Sequence, residues 1–393
     1  MRQVQRVTAN YSADLFGICS ALYELGGLIV MHDASGCNST YATHDEPRWY
    51  DMDSMIYISA LEEYNVVLGN DQKLIDDVCE CAEEKHPKFI AVFGSPIALM
   101  CGTDFTGIAR LIEDRTGIPT FGFQTSGMAT YQRGARQAFA GIAERFCPEA
   151  VKKAAIDRKS VNLLGVTPLD FSVVGNVEAL YAFCEEADLS VHTCWAMGNS
   201  LEQLTTAGEA DVSLVVSSIG LDAAKVLQKK YGTPYVVGLP IGPSATVRLT
   251  ELLHRAAETG ENQILTDEPA YHPAGEDTRT MLLIGEPVQT TALRFCLEHD
   301  LGLSQVSVIC PLEDDAGLLR PTDHRTDEED DIRTLASSAD LFLADPIYER
   351  VLPKNGKTRF LRLPHEAYSG RMWRDEIPVF VDPDFDAWFS ARL

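Results

Sequence analysis

The amino-acid sequence predicts an α/β protein of three Rossmann-like domains, each a mostly parallel sheet flanked by helices. Three observations lead there. Short apolar or β-branched runs alternate with amphipathic stretches along the whole chain, as in strands joined by crossover helices. At 393 residues the chain is too long for one ordinary core and suits two or three domains of roughly 100 to 150 residues each. Two polar stretches, at 146–160 and 258–278, interrupt the alternation as linkers would.

In the first block, DQKLIDDVCECAEEK (71–85) sets Leu74, Ile75, Val78 and Ala82 at helical spacing, and KFIAVFG after it reads as a buried strand. Residues 104–116 give a further helix, which Gly117-Ile118-Pro119 ends before the strand TFGFQT. The second block takes strand and helix in turn: VNLLGV, a helix near 176–187, LSVHTCW, a helix near 199–207, VSLVVSS, LDAAKVLQKKYG and PYVVGLPIG. The third runs through RTMLLIGE, a helix near 288–300, VSVICPL, DLFLADP and TRFLRLP. Domain boundaries fall at 1–155, 156–270 and 271–393. The acidic stretch at 314–331 reads as a solvated loop of the third domain whose charges have no partner.

Composition narrows the function classes. Thirty-three Lys and Arg against 58 Asp and Glu leave a net charge of -25, which repels a phosphate backbone and argues against nucleic acid. No run approaches the ~20 apolar residues that a membrane span needs, and MRQVQRVTANYSADLFG lacks the apolar core and cleavage site of a signal peptide. A cytoplasmic protein is expected. Its ten cysteines, spread without dense even spacing, are then reduced, most of them as small buried residues.

Ligands of open parallel sheets bind at the carboxyl ends of strands, so the loops to inspect follow KFIAVF, VSLVVS and TRFLRL. An earlier strand exit, GGLIVMHDASGCNSTY, carries His32, Asp33, Gly36 and Cys37. A cysteine beside glycine at a strand exit suits a cluster ligand or is a structural loop residue. Cys79 and Cys81 lie on a helix at a spacing that points them apart, and His192 with Cys194 share a strand face without a second pair, so packing explains both. No Walker loop or GxGxxG occurs, which argues against nucleotide binding by this chain.

Taken in order, four motifs resemble nitrogenase component 1 type oxidoreductases. They are the His32 to Cys37 loop, with Asp33 for the family's glycine, and the run EYNVVLGNDQKL (63–74). Ser95-Pro96 opening Gly102-Thr103-Asp104 follows, and then the Gly117-Ile118-Pro119 strand. The likeness continues through LDAAKVLQKKYGTPYVVGLPIGPSAT and LPHEAYSG. The resemblance implies a subunit that pairs with a homologous component 1 subunit or with itself, as a dimer or heterotetramer. It also implies an iron–sulfur cluster, of 4Fe–4S type, held by domain-one cysteines and supplied with electrons by an ATP-dependent iron protein. Thiolates are the soft anionic ligands such iron needs.

Carried over position by position, only Cys37 meets a family cluster cysteine; the others fall at Ser12 and Ser95. Cys19 and Cys101 lie near enough in sequence to supply thiolates by a shifted geometry. The family's cysteine for a molybdenum–iron cofactor corresponds to Val216, so that cofactor is not expected. His365 and Tyr368 match the family's histidine segment, and His365 could bind a metal or donate a proton to a reducible substrate. The resemblance thus implies a nitrogenase-like reductase subunit acting on an unidentified substrate, and not a nitrogenase. A non-catalytic scaffold for building an iron–sulfur cofactor and a cluster-free partner subunit are the alternatives.

Overall fold

The computed structural model describes residues 6–9, 11–40, 43, 45–148, 158–266, 277–382 and 385–393, apart from the side chains of Cys37 and Arg371. Both expected domain boundaries, at 155/156 and 270/271, lie outside the described residues.

Three all-parallel sheets succeed one another along the chain. The first has the order β2-β1-β3-β4, from β1 (Leu28–His32), β2 (Met55–Ile58), β3 (Ile90–Gly94) and β4 (Thr120–Gly122). Its helices are α1 (Asp14–Leu22), α2 (Glu63–Leu68), α3 (Asp71–Lys85), α4 (Pro96–Met100), α5 (Phe105–Thr116) and α6 (Tyr131–Phe146). Strand pleating divides the work between the two faces. Leu28, Val30, Ile90 and Val92 pack with Leu74, Ile75 and Val78 of α3 and Ile108 and Ile112 of α5. The alternate residues Ile29, Met31, Ala91 and Phe93 join the larger core that α1 and α6 share with the other two domains. A glycine lets those two helices touch backbone to backbone: a Cβ on Gly134 would stand 1.8 Å from the Asp14 carbonyl oxygen.

The second sheet has the order β6-β5-β7-β8-β9, from β5 (Lys159–Val166), β6 (Leu189–Ala196), β7 (Val212–Val215), β8 (Tyr235–Val237) and β9 (Gln263–Ile264). Around it lie α7 (Pro168–Phe171), α8 (Asn176–Glu186), α9 (Leu201–Leu204), α10 (Leu221–Tyr231) and α11 (Gly242–Thr259). The third, β12-β11-β10-β13-β14, uses β10 (Asp277–Ile284), β11 (Leu303–Cys310), β12 (His324–Arg325), β13 (Leu341–Ala344) and β14 (Arg359–Arg362). It carries α12 (Pro287–His299), α13 (Glu329–Ser338), α14 (Glu366–Ser369) and α15 (Phe385–Ser390). Central strands such as β3 and β7 are buried along their length, because helices cover both faces of a parallel sheet.

Several expectations change in detail. The helix expected at 199–207 stops at Leu204, where the Ser200–Gln203 capping box starts a single turn and Ala207–Glu209 tightens into a 3-10 turn. The segment IGPSAT opens the long α11, with Pro243 in its first turn, where proline is tolerated. The second expected linker contains β9, which pairs with β8.

The acidic stretch is a correction. Asp314 pairs with Arg136 of α6, and Asp323 forms a buried pair with Arg294 at 2.5 Å. Asp315 pairs with Arg325, and Glu329 accepts the backbone N–H groups of Arg6 and Val7 at 2.8 Å. The charges are engaged because the loop crosses α6 and the N-terminal segment, which sequence distance conceals.

Candidate functional site

In each sheet the chain leaves the first strand on one side and returns on the other, creating a switch point between β1 and β3, β5 and β7, and β10 and β13. Ligands of open α/β sheets gather just beyond such points.

At the first switch point, β1 ends in His32, whose Nδ1 lies 2.7 Å from Ser59 Oγ, and burial lowers its pKa and favours the neutral ring. The chain then turns through Cys37–Ser39 in a 3-10 turn. The Cys37 side chain lies outside the described ones. Across the switch point, Ser95 follows β3 and precedes α4; its Oγ is buried and lacks a hydrogen-bond partner. Cys101 closes α4 and is exposed.

The other two candidates lie elsewhere. Cys19 is wholly buried in α1, and burial followed by the Glu46 charge pushes its thiol far up, towards the protonated form that binds metal poorly. Ser12 donates its hydroxyl to the Ala367 carbonyl at 2.8 Å, across to the third domain. Among the described residues, no three His, Cys, Asp or Glu side chains are grouped to hold a metal ion. For an iron–sulfur cluster, this donor set fits as part of a site: Cys101 is exposed after β3, the backbone of Cys37 lies in the loop after the neighbouring β1, and the buried Ser95 hydroxyl lacks a hydrogen-bond partner. Ligands from another chain would have to complete it.

Cys79 and Cys81 do diverge, one buried and one half-buried. His192 Nε2 lies 2.9 Å from the Thr206 carbonyl oxygen, and Cys194 is buried, so both serve packing.

The second and third switch points face each other. Asp170 of α7, beyond β5, accepts the Tyr131 phenol of α6 at 2.5 Å and the Ser217 hydroxyl beyond β7 at 2.6 Å. Glu286, beyond β10, accepts the backbone N–H groups of Ser218 at 2.9 Å and Gln289 at 2.8 Å. His365, beyond β14, places Nε2 3.4 Å from Asp170 Oδ1, too far for a firm hydrogen bond. Both of its ring nitrogens are buried without a hydrogen-bond partner. Asp345, beyond β13, accepts the His365 backbone N–H at 2.9 Å and fixes the start of that loop. Burial, and then the Asp170 charge, push the Glu286 carboxyl up to about 7.

Aromatic rings fill the space around the histidine. Tyr368 stacks on Tyr11 with centroids 4.4 Å apart and on Tyr348 at 4.8 Å, and Tyr11 meets His365 edge-on at 5.6 Å. Val216 is fully buried beside Ser217. Beyond Tyr11 and Tyr348 opens a cleft of about 1040 Å³ between the first and third domains. Arg133, Arg325, Glu313 and Cys310 also line it.

The family resemblance leads to His365, Val216 and Ser95, and sequence reading misses Asp170, Glu286, Ser217 and Tyr131. The first two are acidic residues, Asp170 just past VNLLGV and Glu286 closing RTMLLIGE. Applying the strand-end rule to every strand would have found both.

Comparison with known proteins follows the same lines. The sequence profile of nitrogenase component 1 type oxidoreductases matches residues 25–316. The nitrogenase iron-molybdenum cofactor biosynthesis protein NifE of Clostridium pasteurianum is 24% identical over 177 residues, 45% of this chain and 38% of that protein. A light-independent protochlorophyllide reductase subunit of Methylocella silvestris is 30% identical over 195 residues, 45% of this chain and 36% of that protein. The chain therefore spans well under two thirds of these relatives' lengths. The solved structure of nitrogenase Cp1 at pH 6.5 superposes with a TM-score of 0.71 at 17% identity, covering all of this chain and 94% of that one. That likeness speaks for the fold.

Proposed function

Since the chain belongs to the nitrogenase component 1 type oxidoreductase family, we propose that it is a nitrogenase-like reductase subunit of the cytoplasm. It pairs through its first domain with a homologous component 1 subunit or a second copy, receives electrons from an ATP-dependent iron protein, and reduces an unidentified substrate.

The observation that carries this reading is the carboxyl edge of the first sheet. The segments that follow β2 and β3 at this edge expose Tyr64, Val67 and Leu68 of α2 and Leu99 and Met100 of α4. Large apolar side chains concentrated beside one strand-end edge mark a surface that another protein covers. Cys37 and Cys101 belong to the segments after β1 and β3 at that edge and would hold a 4Fe–4S cluster jointly with the partner's ligands. Such a cluster supplies one-electron transfer when bound. The polypeptide's own share is to exclude water at the covered edge and to hold Ser95 and His32 behind it. Buried Val216, where the family's cofactor cysteine would stand, and the tyrosines around His365 speak against a molybdenum–iron cofactor. The fit supports a nitrogenase-like protein and not a nitrogenase.

A second reading, a scaffold on which an iron–sulfur cofactor is assembled, draws on one further observation. Several of the relatives are, by name, cofactor biosynthesis proteins.

Anaerobic purification, alone and with a co-expressed component 1 partner, tests both. Iron and sulfide analysis with EPR should find a cluster in the assembly that Cys37→Ala loses. Absence of iron in every combination would sink both cluster readings. Iron that an iron protein with ATP cannot reduce would favour the scaffold.

A further inference from the structure

The loop that leaves β1 is anchored before it reaches Cys37. The His32 carbonyl accepts the Ser95 N–H at 3.2 Å, from the exit of β3, and the Asp33 carbonyl accepts the Leu61 N–H at 2.7 Å, from the segment after β2. The Asp33 N–H also reaches Ser59 Oγ at 3.3 Å. The exits of both neighbouring strands therefore fix the backbone here, and the Asp33 carboxylate starts from a rigid base.

From that base the chain makes its turn. Ala34, Ser35 and Gly36 are exposed, and Ser35 takes a φ of 68°, a left-handed conformation that a serine side chain disfavours. Such a turn needs something to hold it. Asp33 Oδ2 accepts the Asn38 side-chain N–H at 2.8 Å, across the turn that includes Cys37. A second bond overlaps the first, as Ser39 Oγ donates to the Gly36 carbonyl at 2.9 Å. The two together enclose the Cys37 backbone where it opens the 3-10 turn.

Stability does not account for the carboxylate. Asp33 is 5% exposed and forms no ion pair among the described residues. A carboxylate buried with so little compensation costs free energy that a glycine, the residue of the resembling family, would not. Its use lies in what it holds.

We propose that Asp33 is a positioning residue for the cluster loop: by holding Asn38 it keeps the Cys37 backbone in place for a cluster before any metal is bound. Asp33 acts through Asn38 and forms no bond to iron in this role. The service to a cluster rests on the reading under Proposed function; the clamp itself requires neither metal nor partner.

Hydrogen–deuterium exchange of the metal-free full chain, read by mass spectrometry, tests the clamp. Amides of residues 37–39 should exchange about tenfold faster in Asp33→Ala and in Asn38→Ala, while those of β5 and β7 keep the wild-type rate. Asp33→Asn retains an acceptor for the Asn38 amide and loses only the charge, so its loop should exchange close to the wild-type rate. In the cluster-loaded assembly, Asp33→Ala should broaden or shift the EPR signal and Asp33→Asn should restore it. Exchange at 37–39 that stays at the wild-type rate in both alanine variants, an Asp33→Asn loop as fast as that of Asp33→Ala, or a cluster signal that Asp33→Ala leaves unchanged would overturn the proposal. Should Asp33→Ala fail to fold by circular dichroism, Asn38→Ala and Asp33→Asn decide in its place. An assembly without iron in any combination would remove the cluster reading and leave the exchange rates to judge the clamp.

Discussion

The carboxyl edge of the first sheet and the junction of the other two are both strand ends at a switch point, and they are finished in opposite ways. The first exposes apolar side chains, Met100 at 85% and Val67 at 76%, on the segments that follow its strands. The second buries polar ones, Glu286 at 1% and Asp170 at 5%, inside a shell of tyrosines. Exposed apolar surface is completed by something outside the chain, whereas a buried carboxylate must be satisfied within it. The same β-strand geometry therefore yields a docking edge in one domain and a closed polar site between two others.

One contact at the opposite, amino end of the first sheet is finished like the junction, and breaking it should produce the largest effect. Arg48, in the loop between β1 and β2, is buried against Glu46 at 2.7 Å and Glu24 at 3.0 Å. It also donates to the carbonyls of Ser20 at 2.8 Å and, in the second domain, Ala196 at 3.2 Å. Arg48→Ala takes from the fully buried Glu46 the guanidinium it meets at 2.7 Å, which costs about 3–5 kcal/mol. Urea unfolding should show that loss. A variant within about 1 kcal/mol of wild type would mean that water already reaches this pair.

A smaller effect sharpens the other side of the comparison. The Glu286 pKa is raised in the fold, by burial and then by Asp170, to about 7. Between the ordinary carboxyl value and that point the native state holds a proton that the unfolded chain has released. Stability from this group is full below the unfolded pKa, falls as pH rises through the window, and is level above about 7. In Glu286→Gln the slope should vanish, a difference of roughly 3–4 kcal/mol between the ends of the window. Unfolding free energies measured across pH decide it, and parallel profiles for the two proteins would show that the junction does not feel this charge.

The sequence exposes these two regions unequally. Strand-length apolar runs and the Gly-Ile-Pro punctuation announce the sheets, since burial on both faces leaves a strong local pattern. The open edge is legible too, because Cys37, Ser95 and Cys101 lie in short ordered motifs. The junction is legible only in part, at His365, which a family motif picks out. Tyr131, Asp170, Ser217, Glu286 and His365 come from five separated segments, and each alone resembles a turn residue or a cap; Glu286 does cap α12. Their meaning arises from the approach of two sheets that no local pattern records. The acidic stretch at 314–331 misleads for the same reason, as its partners Arg136 and Arg6 to Thr8 lie far away in sequence.

The smallest change in stability should accompany the clearest change in assembly. Met100 ends α4 with its side chain in solvent, and no cap or core contact depends on it. Met100→Lys should therefore alter unfolding free energy by no more than about 0.5 kcal/mol. If the open edge is where a component 1 partner docks, the new ammonium must be buried without a counter-charge when the complex forms, and association weakens or is lost. Light scattering of the co-expressed complex, with Val67→Lys as a second probe on α2 and an exposed residue of the second domain, Val247→Lys, as control, reads the difference. Assembly that tolerates both substitutions at the edge and fails with the control would move the docking surface away from the first sheet, leaving its apolar side chains to be explained by another occupant.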